Sequence, residues 1–206
     1  MSRIGIVDYG LGNLTSVAGA VRHLGHQAIV ASDYDVLEET EKLILPGVGA
    51  FGDGMRNLRD RGLVEGLTRL VLEQAKPILG ICLGSQLLAR ESHEFGRHDG
   101  LGWIDAKILR LPATDADLRI PHVGWNSCEQ AKTSLLFEGI PEDALFYYVH
   151  SYYIAQVDDA RVLAHCEYGI RFPAVVSRNN IYATQFHPEK SQLYGLELLR
   201  NFLDRA

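Results

Sequence analysis

The sequence predicts an α/β fold: a mostly parallel central sheet flanked by helices, with extra antiparallel strands in the C-terminal half. Three observations carry that prediction. Apolar runs near residues 3–7, 27–31, 42–45 and 77–81 alternate with helical patterns near 13–24, 54–75 and 83–91, as in βαβ units with parallel strands. The second half changes character, with shorter strand candidates near 104–110, 145–149, 161–166, 174–178 and 181–186 before a closing helix near 192–204. At 206 residues and 47% hydrophobic, the chain can bury one good core, so residues 1–206 read as a single domain.

The first strand, Arg3-Ile4-Gly5-Ile6-Val7, begins almost at the N-terminus, so no signal peptide is expected. Asn13 is placed to cap the first helix and Gly25 to stop it. Gly10-Leu11-Gly12-Asn13-Leu14-Thr15, with Asp33 about twenty residues on, mimics a dinucleotide fingerprint, but its third glycine is missing. The strand Lys42-Leu43-Ile44-Leu45 leads into Pro46-Gly47-Val48-Gly49-Ala50-Phe51-Gly52-Asp53-Gly54-Met55. So glycine-rich a loop lets backbone N–H groups approach a ligand closely. Alone, it would read as an ordinary strand–helix connection.

The next strand, Pro77-Ile78-Leu79-Gly80-Ile81, meets Cys82 where a helical pattern begins. Gly80-Ile81-Cys82-Leu83-Gly84 is a G-x-C-x-G analogue of the nucleophile elbow, in which glycines on either side allow a sharp turn that lifts the nucleophile into the open. A sulfur at a helix N-terminus faces the positive end of the helix dipole, which favours an attacking anion. A free cysteine is as often a buried structural residue, so the elbow needs a second element. It lies about a hundred residues downstream, where the strand Ile181-Tyr182-Ala183-Thr184-Gln185-Phe186 ends in His187-Pro188-Glu189. The residue before proline is pushed towards extended geometry, in which positions i and i+2 face one way. Glu189 can then hold one imidazole nitrogen while the other faces a nucleophile, the logic of a Cys-His-Glu triad. The N–H of Leu83, with that of Val48 or Gly49, would serve a developing oxyanion. Cys128 and Cys166 lack a nearby base and read as structural.

Pro46-Gly47-Val48-Gly49, Gly80-Ile81-Cys82-Leu83-Gly84 and Phe186-His187-Pro188-Glu189, in this order and spacing, resemble the class I (triad-type) glutamine amidotransferases. Four blocks narrow the resemblance: Asp8-Tyr9-Gly10-Leu11-Gly12-Asn13, Pro121-His122-Val123-Gly124-Trp125-Asn126, Tyr147-Tyr148-Val149-His150-Ser151-Tyr152 and Gln185-Phe186-His187-Pro188-Glu189-Lys190-Ser191. They are similar to the glutaminase subunits of imidazole glycerol phosphate synthase, and they span the chain. The resemblance implies a class I amidotransferase-like, flavodoxin-like fold and hydrolysis of L-glutamine to glutamate and ammonia. It implies substrate binding by Gln86, His150, Ser151 and Tyr152. It also implies a heterodimer with a cyclase (β/α) barrel subunit of histidine biosynthesis, contacted through Asn13, Trp125, Asn126 and Lys190.

Two departures keep other readings open. Ser85 stands where the family usually carries methionine, and Leu101-Gly102-Trp103-Ile104 differs from the segment expected there. A paralogue feeding a sugar-amidating synthase for surface polysaccharide fits both. A free-standing cysteine hydrolase would need no partner, and a catalytically silent subunit would not need all three triad positions filled. Nothing in the sequence asks for a cofactor or a metal. The net charge of −6 argues against nucleic acid or an anionic membrane as partner, and no apolar stretch is long enough to span a bilayer. Three cysteines without a C-x-x-C pair suit a reducing cytoplasm.

Overall fold

The computed structural model describes residues 1–113 and 118–206. The first half runs β1 (Arg3–Val7), α1 (Leu14–His23), β2 (Gln27–Ala31), α2 (Tyr34–Glu38), β3 (Lys42–Gly47), α3 (Phe51–Asp60), α4 (Leu63–Thr68), β4 (Ile78–Cys82) and α5 (Leu83–Leu87). There follow β5 (Ala89–Ser92), β6 (His98–Asp99), β7 (Ile104–Arg110), β8 (His122–Ser127), β9 (Glu129–Gln130), β10 (Leu145–His150) and β11 (Tyr152–Ala155). The chain closes with β12 (Val162–Glu167), β13 (Arg171–Arg178), β14 (Ile181–Thr184) and α6 (Gln192–Arg205).

The main sheet has the order β2-β1-β3-β4-β14-β13-β12-β9. Its first five strands are parallel and the last three antiparallel. Counting β14 as the fifth parallel strand, this is the 2-1-3-4-5 order of flavodoxin-like sheets, whose ligands bind beyond the carboxyl ends of the strands. Side chains alternate across the sheet. Ile4, Ile6, Ile44, Leu79 and Ile81 pack with Val17 and Val21 of α1 and Leu198 and Phe202 of α6 on one face. Leu43, Leu45 and Ile78 pack with Met55, Leu58 and Leu67 of α3 and α4 on the other. Two smaller sheets, β10-β8 and β11-β7-β5-β6, extend the C-terminal half.

Asn13 caps α1 by accepting from the Ser16 amide at 3.2 Å, and Gly25, at φ +88°, follows its end. Several expected boundaries move. The glycine-rich loop is shorter than its composition suggests, because α3 already begins at Phe51, whose amide donates to Glu94 Oε2 at 2.6 Å. The helical pattern of 54–75 is broken at left-handed Gly62 (φ +66°) and ends in a π-helical turn at Arg69–Glu73. The helix expected to reach residue 91 stops after Leu87, and Ala89–Ser92 joins β7 in parallel. Strands β8 and β11 and the short α2 carry no strong periodic signal in the sequence and emerge only in the fold.

Candidate active site

Cys82 ends β4 with φ 53° and ψ −111°, a conformation that residues other than glycine adopt only when their surroundings impose it. The turn into α5 is packed without slack. A Cβ on Gly84 would lie 1.8 Å from the Leu45 carbonyl oxygen, and one on Gly47 would lie 2.4 Å from the Tyr9 hydroxyl. Ser85, the departure from the family pattern, is fully buried and donates to the Cys82 carbonyl at 2.6 Å, tying the elbow to the first turn of the helix. That helix has only five residues, so its dipole is a weaker aid to the sulfur than the sequence pattern suggests.

Beyond β14 the chain turns so that His187 and Glu189 face one another. His187 Nδ1 lies 2.8 Å from Glu189 Oε1, with both side chains almost entirely buried. The His187 backbone is pinned twice: its amide donates to the Tyr147 carbonyl at 2.9 Å and its carbonyl accepts from Ser191 Oγ at 2.6 Å. Burial alone would lower the proton affinity of the ring, but Cys82 and Glu189 together outweigh it and raise the His187 pKa to about 9. His187 Nε2 has no hydrogen-bond partner among the described residues. Cys82 thus bears on the charge of the His187 ring.

Strand register places the glycine loop beside Cys82, because Gly47 pairs with Cys82 and Pro46 with Ile81. Val48 is partly exposed and Gly49 adopts φ +104°, a left-handed conformation that glycine takes without strain. Leu83 opens α5, so its N–H is one of those a helix leaves without an internal acceptor. The residues expected as oxyanion donors, nucleophile and base thus gather at the carboxyl ends of β3, β4 and β14.

The other expected site residues are drawn in differently. Gln86 is buried, and its Nε2 donates to the Tyr152 carbonyl at 2.9 Å and to Gln185 Oε1 at 3.1 Å. Only its own oxygen is left to offer a ligand. His150 has both ring nitrogens engaged, Nδ1 with the Tyr152 carbonyl at 2.8 Å and Nε2 with His122 Nδ1 at 3.2 Å. Burial keeps this pair neutral, lowering His150 to about 3 and His122 to about 4. Ser151 and Tyr152 are half-buried beside them. Three residues escaped the reading of the sequence as site groups: Gln185, whose Nε2 lies 3.9 Å from Cys82 Sγ; Tyr9 behind Gly47; and Glu94 at the start of α3. The Gln185 signal was present only as its place two residues before His187.

Among the residues expected at a partner surface, Trp125 is 45% exposed, and both it and Lys190 lie 5.9 Å from the Tyr147 ring centroid. Val123, Leu145 and Leu193 are also exposed large apolar side chains. Asn126 turns inward, donating to the Glu167 carbonyl at 2.9 Å and accepting from the Ser127 amide. The Asn13 side-chain oxygen is occupied by its helix cap.

Comparison with known proteins agrees with this geometry. The family model described as glutamine amidotransferase class-I matches residues 5–206. Curated relatives include the imidazole glycerol phosphate synthase subunit HisH 2 of Pseudomonas aeruginosa, 44% identical over 97% of this chain and 98% of its own. The HisH subunits of Geobacter sulfurreducens and Aquifex aeolicus are each 45% identical, covering 98% of this chain and 98% and 96% of theirs. Among solved structures, one described as a glutamine amidotransferase superposes with TM-score 0.75 at 23% identity, over 97% of this chain and 96% of that one. PurLQS from Thermotoga maritima gives 0.74 at 19%, over 98% of both. With its elbow cysteine, its buried His–Glu pair and relatives at this level over nearly its full length, the chain belongs to the glutamine amidotransferase class-I family.

Proposed function

We propose that this chain is the glutaminase of an imidazole glycerol phosphate synthase, hydrolysing L-glutamine and passing the ammonia to a cyclase subunit in histidine biosynthesis. The observation that carries the chemistry is the pairing of a strained elbow thiol at Cys82 with His187, whose Nδ1 is held by Glu189 and whose Nε2 is left free. Cys82 Sγ attacks the side-chain amide carbon, and the N–H groups of Leu83 and of Val48 or Gly49 receive the oxyanion. His187 takes the Cys82 thiol proton and gives it to the departing ammonia, then takes one from the water that cleaves the glutamyl thioester and returns it to the departing sulfur. Glu189 keeps the ring oriented through both steps. Gln86, Ser151 and Tyr152 are our choice for the residues that hold the substrate.

Relatives about 45% identical and named as this subunit support the histidine pathway over a sugar-amidating paralogue. Ammonia is mostly protonated and non-nucleophilic at neutral pH, so it is best handed on directly. The exposed apolar surface formed by Val123, Trp125, Leu145 and Leu193, with Lys190 beside it, is our choice for the cyclase barrel's docking site. Three free, buried cysteines suit work in the cytoplasm. The test is glutamate release by the purified chain and its Cys82→Ala variant, each with the cyclase. We expect the variant to lose glutamine hydrolysis, while the complex still makes product from added ammonium salts. Glutamine hydrolysis persisting in Cys82→Ala would reject the nucleophile.

A further inference from the structure

We propose that Gln185 is a further catalytic residue, donating its side-chain N–H to the Cys82 sulfur, and this rests on the glutaminase reading above. Crystallographers often cannot tell the oxygen of a glutamine side chain from its nitrogen, but here the surroundings decide. The Tyr152 carbonyl can only accept, so the Gln86 atom 2.9 Å from it must be the nitrogen. The second N–H of that nitrogen reaches the Gln185 side chain at 3.1 Å, where it must meet the oxygen. The Gln185 nitrogen is then forced towards Cys82, 3.9 Å from Sγ, with no other hydrogen-bond partner among the described residues. Orientation passes one way along the chain, from the Tyr152 carbonyl through Gln86 to Gln185.

The anchor is firm. The Tyr152 carbonyl also accepts from His150 Nδ1 at 2.8 Å, so both of its lone pairs are used. Gln185 is fully buried, and its backbone amide donates to the Ala174 carbonyl at 2.8 Å. A contact of 3.9 Å is long for N–H···S, but catalytic hydrogen bonds often tighten only as charge develops. A buried amide donor helps the sulfur twice: it stabilises the negative charge before attack, and again when the sulfur leaves the thioester as an anion. The Val149 carbonyl, also 3.9 Å from Sγ, is an acceptor and cannot stabilise that anion. A merely structural Gln185 would need its oxygen for Gln86 and nothing more.

The test uses iodoacetamide on the full chain at neutral pH without glutamine, with mass spectrometry locating the label. All three thiols are buried, and the masses of the labelled peptides distinguish Cys82 from Cys128 and Cys166, so its label can be followed separately. Gln185→Met keeps the volume and removes the donor. We expect Cys82 alkylation at least about tenfold slower in folded Gln185→Met, the order of losing one hydrogen bond to a charged group. A rate within about twofold of the unsubstituted chain would overturn the proposal. A second measurement leaves Gln185 in place: its side-chain amide proton resonance should move on Cys82→Ala while that of Gln86 does not. An unmoved Gln185 amide would equally overturn it. Alkylation requires neither glutamine nor partner, so failure of the Gln185 contact is distinguishable from absence of glutamate release, which would count against the functional reading instead.

Discussion

His187 and Glu189 form a closed pair, Nδ1 to Oε1 at 2.8 Å, with 2% and 1% of their side-chain surfaces exposed. Pro188 opens the 3₁₀ turn Pro188–Lys190, which brings the carboxylate round to the ring. The first prediction concerns this pair. Glu189→Gln should lower kcat less than His187→Ala, because the amide can still accept from Nδ1 while alanine leaves no base. The double variant should be scarcely worse than His187→Ala, since triad members act as a unit. Steady-state kinetics on all three decides it; losses that multiply would count against a shared function.

The same pair sets a pH dependence of stability. The His187 pKa is raised from the ordinary 6.5 to about 9 in the folded chain, burial opposing and Cys82 and Glu189 prevailing. A base that holds its proton more tightly when folded stabilises the fold fully below its unfolded pKa, and that contribution fades as pH rises through the folded one. Comparing thermal midpoints of the unsubstituted chain and His187→Ala isolates it from other titrations. We expect the gap to be widest below about pH 6.5 and to narrow by about pH 9. A gap that widens with pH would mean the imidazole is held neutral.

A third prediction concerns the elbow. Gly84→Ala would put a methyl group 1.8 Å from the Leu45 carbonyl oxygen, and backbone there cannot swing aside as a flexible side chain would. Overpacking of this kind costs about 1–3 kcal/mol, and the shift would also move Cys82. Denaturant unfolding should show the lost stability and the glutaminase assay the lost turnover. Gly25→Ala, at a position with open space around it but φ +88°, should destabilise without touching turnover, which separates a strained backbone from a displaced nucleophile.

What the sequence disclosed depended on how local the cause was. The strands at Arg3–Val7, Lys42–Gly47 and Ile78–Cys82 were legible because a strand buried on both faces is an unbroken apolar run. The Cys82 elbow and the His187–Glu189 pair were legible because each is set by residues within a few positions of one another. Strand β5 was not. Leu87-Leu88-Ala89-Arg90-Glu91 continues a helical pattern, and only pairing with β7 and β6 makes Ala89–Ser92 extended, a tertiary override of local preference. Gln185 was hidden for a like reason: a glutamine in the bend just past a strand has no periodic signature, and Gln86 and Tyr152, which orient it, lie far away in sequence. Asn126 shows the converse, a motif residue whose side chain the fold turns inward.

The last prediction concerns coupling to the partner. We expect the isolated chain to be a poor glutaminase, and docking of the cyclase with its nucleotide substrate to raise turnover by orders of magnitude. The physical basis is the loop Gly47-Val48-Gly49, which register holds beside Cys82 while leaving Val48 partly exposed. A glycine on each side of Val48 lets the peptide planes there rotate at little steric cost, so an N–H can point at the oxyanion or away from it. Losing one such donor typically costs roughly 10²–10³ in rate, enough to keep glutamine from being wasted when no acceptor is present. A partner can bias the loop only by touching its two states differently. Among the expected contact residues, Trp125 and Lys190 are the cleaner probes, since Asn13 and Asn126 also hold backbone groups within the chain. Trp125→Ala and Lys190→Ala should reduce stimulation while leaving the small basal rate nearly unchanged. The measurement is glutamate release by the chain alone, with the cyclase, and with the cyclase and its substrate. Equal turnover in all three would reject the switch and favour a hydrolase that works alone.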